Sequence, residues 1–241
     1  MAGLGTVINT CAIIVGGILG IFFGRFIKEQ LRSTLITACG VCVMFIGTAG
    51  ALEGMLTVTG SSISSGRAMF LVLSIALGGL VGELINIEGA FERFGEWLKQ
   101  KTGSAKDAGF VNGFVTASLT VCIGAMAIVG AIEDGLTGNW SLLATKAALD
   151  FVIIMIMTGS LGKGCIFSAI PVALLQGGVT VLARAAAAIM TEKALSNLSL
   201  SGSVLIFCVG INLVWGIKVR VANLLPAVIF AAAFAYLPFE F

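Results

Sequence analysis

The sequence predicts an all-α protein, a polytopic bundle of transmembrane helices forming a single membrane domain over residues 1–241. Composition gives the first reason: 58% of the residues are hydrophobic and only 11% are charged, whereas a soluble domain carries about 25% charged residues. The second reason is that the chain has 32 glycines but only 3 prolines. Small residues let membrane helices pack closely, so this balance suits a packed transmembrane bundle.

Eight apolar segments are long enough, or nearly so, to be spans, since a transmembrane helix needs about 20 mostly apolar residues. The last two are short and are separated by the basic turn 218–220, so they could instead form one helical hairpin. The sequence therefore predicts about eight spans. The segments are Leu4–Gly24, Thr34–Leu52, Ala68–Ile85, Val111–Ile132, Leu142–Leu161, Cys165–Ala186, Gly202–Ile217 and Val221–Leu237.

Lysine and arginine residues set the predicted orientation, because cytoplasmic loops carry an excess of them. With the N-terminus outside, ten basic residues fall on the inner side and four on the outer side, namely Arg67, Lys146, Arg184 and Lys193. The first positive charge of the chain is Arg25, so the first apolar segment is predicted to be a retained span rather than a signal peptide. In a bacterium, both termini would then be periplasmic.

Residues 87–107, which connect the third and fourth spans, are the longest charged segment. Phe91, Phe94, Trp97 and Leu98 recur there at helical spacing, with charged residues on the other faces. This pattern is typical of an amphipathic helix that lies at the membrane interface. We predict a cytoplasmic interface segment that anchors the fourth span, with a regulatory role as the alternative.

A weak internal repeat is also visible. Residues 16–20 in the first span echo residues 78–82 in the third, and residues 50–54 echo residues 130–135. Helical hairpins repeated in the same orientation would produce this pattern, as in transporters with parallel repeats.

Charge and residue types exclude several functions. A net charge of +2 offers no basic patch that would neutralise many phosphates, so no nucleic acid is expected as a partner. The chain has no histidine, which removes the commonest transition-metal ligand and general base. Its six cysteines lie in apolar stretches, where thiols behave as small hydrophobes. The sequence therefore predicts no cofactor, no metal site and no disulfide framework.

The first group of candidate site residues lies around the start of the fifth span. Lys146 and Asp150 are four residues apart and so share a helix face, and Asp150 lies within the apolar run. Glu133 and Asp134 end the fourth span and could share the same vestibule. Ionisable groups inside a membrane usually face a cavity or a partner helix, which favours a cation or proton site. The alternative is a Lys146–Asp150 pair that only neutralises itself.

A second group lies in the sixth span, which Pro171 and Gly177-Gly178 interrupt. Ser168, Gln176 and Thr180 are its polar residues, the first two being the site candidates. An interrupted helix with polar residues near the midplane points to a transport site. Asn9 and Asn212 are single amides in the first and seventh spans. Interhelical hydrogen bonding is the simpler explanation for all of these side chains.

Several motifs resemble the YqgA-like family, an uncharacterised family of bacterial inner-membrane proteins described as candidate transport proteins. The resemblance covers essentially the whole chain and is most specific around residues 133–151. It implies a multi-pass protein of the bacterial inner membrane and supplies neither a substrate nor an established site. The matching segments are residues 7–9 with 16–20, 77–83, 133–138, 143–146 with 149–151, and 221–227.

Three functions are compatible with this sequence. A transporter or channel for a small solute or cation is favoured, with the lipid bilayer as its surroundings, on the evidence of Asp150 and the interrupted sixth span. The alternative is a non-transporting scaffold or sensor, a homo-oligomer packed through the glycines of the first and third spans. An intramembrane enzyme is least favoured, because catalysis needs a nucleophile with a base or metal in reach; no enzyme activity is predicted.

Overall fold

The computed structural model describes residues 2–24, 28–104, 107–122, 125–183, 191–216 and 218–236. It confirms the all-α class: the described chain is a bundle of helices with one short antiparallel hairpin, β1 (Leu56–Thr59) and β2 (Ser62–Ser65). The helices are α1 (Leu4–Gly24), α2 (Glu29–Met55), α3 (Ala68–Ile85), α4 (Ile87–Lys101), α5 (Phe110–Cys122), α6 (Ala125–Thr137), α7 (Ser141–Leu161), a 3-10 helix (Lys163–Ser168), α8 (Ala169–Val181), α9 (Glu192–Trp215), α10 (Val221–Leu224) and α11 (Pro226–Phe234).

The two ends of the bundle, the hairpin face and the basic face, carry different features. The hairpin face holds the start of α1, the β-hairpin, and the start of α9, where Arg67 donates hydrogen bonds to the Gly54 carbonyl and to Ser196. The basic face holds the turn 218–220 and the start of α4, where Arg220 pairs with Glu83. The hairpin itself was not predicted.

Six helices of the described chain are long and apolar enough to cross a membrane, and α5 with α6 adds a seventh if the pair is one span. That pair corresponds to the predicted fourth span, but it is bent by 61°. The predicted eighth span is represented by the shorter helix Val221–Phe234. Its residues run antiparallel to α3, from Asn223 beside Gly82 to Phe234 beside Phe70. The segment therefore lies alongside most of a spanning helix.

The start of the seventh span differs from the prediction. The seventh span begins at Glu192 rather than Gly202, because Thr191 caps the helix by accepting a hydrogen bond from the Ala194 amide. The polar residues before Gly202 are thus helical, and Asn197 donates a hydrogen bond to the Ala231 carbonyl. The predicted end of the sixth span at Ala186 lies outside the described residues.

Helix α4 lies within the charged segment that connects the predicted third and fourth spans. Asn86 begins it in a left-handed conformation (φ 55°) and accepts a hydrogen bond from the Gly89 amide. Its apolar side packs on α5, with the Phe94 ring 5.7 Å from that of Phe114, while Trp97 is half exposed. The position of this helix at the cytoplasmic interface stays a prediction.

The distribution of polarity is the reverse of that in a soluble protein. Large apolar side chains such as Leu84, Phe45 and Val181 are more than 70% exposed, and in a membrane they would face lipid. Charged and amide side chains such as Asp134, Asp150 and Gln176 are at most 4% exposed. The bundle therefore has an apolar exterior and a partly polar interior.

Glycines let the helix backbones approach. A Cβ at Gly16 of α1 would lie 2.6 Å from the Phe151 carbonyl oxygen of α7, and one at Gly20 would overlap that of Met155. Gly78 and Gly82 of α3 similarly meet Ala227 and Asn223. These glycine faces are used inside the chain, and a homo-oligomer stays a prediction. Helix α1 packs parallel to α7, whereas α3 packs antiparallel to α11; the predicted repeat stays a prediction.

We expect Gly20→Leu to destabilise the folded chain rather than to dissociate an oligomer. The added side chain would meet the α7 backbone, which cannot move as a side chain would, and overpacking costs about 1–3 kcal/mol. Thermal unfolding in detergent and light scattering would measure the two effects. Gly178→Leu is the control, since a Cβ there meets nothing within 4 Å in the described structure. An unchanged melting temperature with a smaller particle mass would contradict this expectation.

Candidate functional site

A buried ion pair lies near the centre of α7. Asp150 is the tenth of the 21 residues of this helix, and it accepts a hydrogen bond from Lys146 one turn before it. The two residues are 4% and 6% exposed. Lys146 thus lies inside the bundle, and it contributes nothing to the charge at either face. The pair neutralises itself, as the simpler of the two sequence interpretations expects.

Lys146 has a second partner at the break between α5 and α6. An α-helix leaves its last four carbonyls without intrahelical partners, and α5 ends at Cys122. The Val121 carbonyl is one of these groups, and it accepts a hydrogen bond from Lys146 Nζ at 2.8 Å. The end of a helix carries partial negative charge, which favours a cation there. The Lys146 ammonium group therefore pairs both with the free Val121 carbonyl at the end of α5 and with the Asp150 carboxylate.

A polar ladder joins α1 to α8 beside this pair. Asn9 Nδ2 donates to Gln176 Oε1 at 3.2 Å, and the Thr6 and Thr180 hydroxyls lie 3.4 Å apart one turn away. The Asn9 amide also hydrogen-bonds to the Asp150 carboxylate. From the Thr6–Thr180 pair to the Asn9–Gln176 pair, the residue number rises along α1 and falls along α8, as expected for antiparallel helices. The ladder thus links Asp150 toward the hairpin face.

Asp134 continues the network at its hairpin-face end. Its carboxylate accepts a hydrogen bond at 2.9 Å from the amide of Gly5, in the first turn of α1. The first amides of a helix have no intrahelical partners and carry partial positive charge, so a carboxylate is stabilising there. Asp134 is completely buried and acts as a long-range cap of α1. It does not lie in an open vestibule.

Three predicted site residues lie outside this network. Glu133 is half-buried on the other side of α6, 3.5 Å from the Asn139 amide nitrogen. Ser168 donates to the Cys165 carbonyl at 2.7 Å within the 3-10 helix. Asn212 accepts hydrogen bonds from the backbone amides of Lys218 and Val219, holding the basic turn. The structure thus joins Asn9, Asp134, Lys146, Asp150 and Gln176.

A cavity of about 260 Å³, the polar cavity, opens near the basic face, and its lining combines carboxylate and amide groups with a larger apolar surface. Glu88 and Glu92 of α4 line it together with Asn212, and it follows one side of α5 as far as Leu119. Burial raises the pKa of the Glu88 carboxyl, although a hydrogen bond from the Ala222 amide opposes the rise. The cavity ends two residues before Val121. Asp150 and Gln176 are not among its lining residues, so the ion pair is closed off from it.

A second cavity, of about 680 Å³, is almost wholly apolar. Its walls include Cys122 at the end of α5, Pro171 and Leu175 of α8, and Leu198 of α9. Cys122 therefore faces this space while the neighbouring Val121 carbonyl faces Lys146. The break between α5 and α6 lies between an apolar cavity and the buried ion pair.

These features define the class of protein: an apolar exterior, membrane-length helices and an ionic interior belong to a polytopic membrane protein. The chain matches the family described as "Protein of unknown function (DUF554)" over residues 4–236, and it belongs to that family.

Two curated relatives match nearly end to end. The uncharacterized membrane protein YdfK of Bacillus subtilis (strain 168) is 26% identical over 225 residues, which cover 93% of this chain and 92% of the relative. The uncharacterized protein YqgA of Escherichia coli (strain K12) is 28% identical over 236 residues, covering 95% and 94%. The resemblance to YqgA-like proteins is thereby confirmed. No solved structure matches the chain.

Proposed function

We propose that the protein transports a small solute or ion, with a cation as the first candidate, through a pathway that includes the Lys146–Asp150 pair. The observation that carries the proposal is the position of this pair at the break between α5 and α6. Discontinuous membrane helices supply ion sites at the midplane of many transporters, where free carbonyls at a half-helix end bind cations. Here the Lys146 ammonium holds the position that such a cation would take.

The cost of burying the pair supports a functional role. Ionisable groups within spans are expensive and usually mark ion or substrate pathways. A buried ion pair is also weak evidence of a stabilising role, because apolar residues of similar volume are often as good. Displacement of the Lys146 ammonium would expose the Val121 carbonyl, the Asp150 carboxylate and the Asn9 amide to an incoming cation. The polar cavity that ends at Leu119 would supply access from the basic face.

The orientation belongs to the same proposal. We place the protein in the bacterial inner membrane with the basic face in the cytoplasm, because basic residues are concentrated there. Both termini would then be periplasmic. In this orientation the polar ladder leads from the periplasmic side to Asp150, and the polar cavity leads from the cytoplasm towards the helix break.

Cation flux into proteoliposomes tests the transport proposal, with Na⁺, K⁺ and H⁺ gradients as probes. We expect Asp150→Asn to reduce the flux of the wild-type protein to the level of empty vesicles. Glu96→Gln is the matched control for removing one negative charge, since Glu96 is exposed on α4 and outside the site. Wild-type flux in Asp150→Asn, or the absence of flux for every cation tested in the wild type, would contradict a cation pathway through the pair.

The alternative of an oligomeric scaffold loses the observation that suggested it. Its basis is the glycine faces of the first and third spans, and these pack against α7 and α11 within the chain. The buried ionic network has no evident use in a scaffold. Transport therefore accounts for more of the structure.

A further inference from the structure

We propose that water molecules beside the polar ladder carry protons between the hairpin face and Asp150, which makes the proton the coupled ion. This inference rests on the proposed transport function and specifies its ion. It comes from three buried polar atoms of the ladder and its cap. Among the described residues, Asn9 Oδ1, Gln176 Nε2 and Asp134 Oδ1 have no hydrogen-bond partner.

These atoms require partners for energetic reasons. The three side chains are at most 1% exposed, and each buried polar atom left without a hydrogen bond costs about 1–3 kcal/mol. Proteins commonly satisfy such groups with buried water, which makes about three hydrogen bonds to polar neighbours. The Asn9–Gln176 contact is a single hydrogen bond. It leaves the acceptor Oδ1 of Asn9 and the donor Nε2 of Gln176 without a partner in the described chain. A water molecule can bond to both.

The polar groups follow one another in order from the hairpin face to Asp150. From the hairpin face they are Asp134 with Gly5, then Thr6 with Thr180, then Asn9 with Gln176, and finally Asp150. Successive rungs on α8 are four residues apart, which corresponds to about 6 Å along a helix. One water molecule, with a hydrogen bond of about 2.8 Å on each side, spans that distance. The hydroxyls of Thr6 and Thr180 can themselves accept and release protons.

Gly177 lies on the ladder side of α8, opposite Thr6 of α1. The nearest atom to a Cβ built on Gly177 is Thr6 Cγ2, at 4.0 Å. Position 177 therefore adds no side chain beside Thr6, and the absence of one leaves room for water next to the ladder. At the next residue, Gly178, a Cβ meets nothing within 4 Å in the described structure. The two adjacent glycines thus differ in whether they border the ladder.

The proton balance at Asp150 is simple. A proton arriving along the water molecules forms an O–H bond on the carboxylate, and no other bond is formed or broken. Lys146 on the same helix and Cys122 on α5 are the titratable groups of the described chain that interact with Asp150, while α1 presents the amide of Asn9. Protonation cancels the attraction to Lys146, whose ammonium then keeps only the Val121 carbonyl. This frees the ammonium to leave the helix break.

The rate at which Asp150 takes up a proton tests the pathway. Purified protein in nanodiscs is mixed rapidly with acid, and the infrared carbonyl-stretch band of the protonated carboxyl is followed, assigned by its loss in Asp150→Asn. We expect Gly177→Val to slow the uptake by about tenfold, as an added barrier of about 1.4 kcal/mol would. Gly178→Val places the same side chain on the same helix outside the gap, and its rate is expected to match the wild type.

Thr180→Val provides a second variant, because it removes a hydroxyl without changing the size of the side chain. It is expected to slow proton uptake even if Gly177→Val does not fold. Equal rates in the wild type and in every folded ladder variant, or the lack of an Asp150 band, would overturn the inference. Cation flux that depends on Asp150 but is independent of pH would also overturn it, while leaving the transport proposal intact. Proton uptake along the ladder without any flux would contradict transport alone.

Discussion

Lys146→Met, with Asp150 kept, is expected to destabilise the bundle by about 3–5 kcal/mol, the usual cost of leaving one partner of a buried ion pair unpaired. The Asp150 carboxylate would keep only its hydrogen bond from Asn9, and the Val121 carbonyl would lose its donor. Asp150→Leu should cost a similar amount, because the ammonium would then be the unpaired charge. The free energy of unfolding in mild detergent, from denaturant titration, measures both effects.

The double variant Lys146→Met/Asp150→Leu is expected to be about as stable as the wild type, because apolar residues of similar volume often replace a buried pair without loss. The cycle of two single variants and one double variant gives the coupling energy directly. If the stability losses of the two single variants simply add in the double variant, the two charges do not stabilise each other. The pair then does not act as one structural unit. A stable double variant without cation flux would separate the pair's role in transport from its role in folding.

The features that sequence could predict depend on local spacing. The four-residue separation of Lys146 and Asp150 places them on one helix face whatever the rest of the fold does. The helical class, most span positions and the amphipathic character of α4 follow from apolar length and periodicity. These properties belong to single helices, so no knowledge of the neighbouring helices is needed.

The features that sequence could not predict depend on which helices meet. The Val121 carbonyl became a partner of Lys146 because α5 ends one residue later, and Gly124 is the only nearby sequence signal for an end there. Asp134 is a candidate pathway residue by sequence, yet it caps α1 from 129 residues away. Rules that predict helix caps from sequence consider only residues next to the helix. Thr6 was missed, and Thr180 was noted only as a polar residue of the sixth span, because single threonines in apolar segments carry no distinguishing pattern.

Gly82→Ala is expected to destabilise the protein by about 3 kcal/mol, at the upper end of the cost of overpacking. A methyl group on Gly82 would overlap the Asn223 carbonyl oxygen, which is backbone and cannot rotate away. Helix α10 would have to move from α3. Gly79→Ala is the matched control on the same helix, because its methyl group would meet only the flexible end of Leu224, at 3.1 Å. Thermal unfolding of the two variants compares them directly.

The same displacement should loosen α4 from the basic face. The Asn223 side chain accepts a hydrogen bond from the Glu88 amide at 2.7 Å and donates one to Glu83, so moving its backbone disturbs the start of α4. Trypsin can cleave α4 at Arg93, Lys99 and Lys101, and faster cleavage there is expected in Gly82→Ala but not in Gly79→Ala. Equal cleavage and equal melting temperatures would mean that α3 and α10 tolerate a wider separation, and that Asn223 does not hold α4. Faster cleavage would instead show that the contact between Asn223 and Glu88 attaches α4 to the bundle, beside the cavity lined by Glu88 and Glu92.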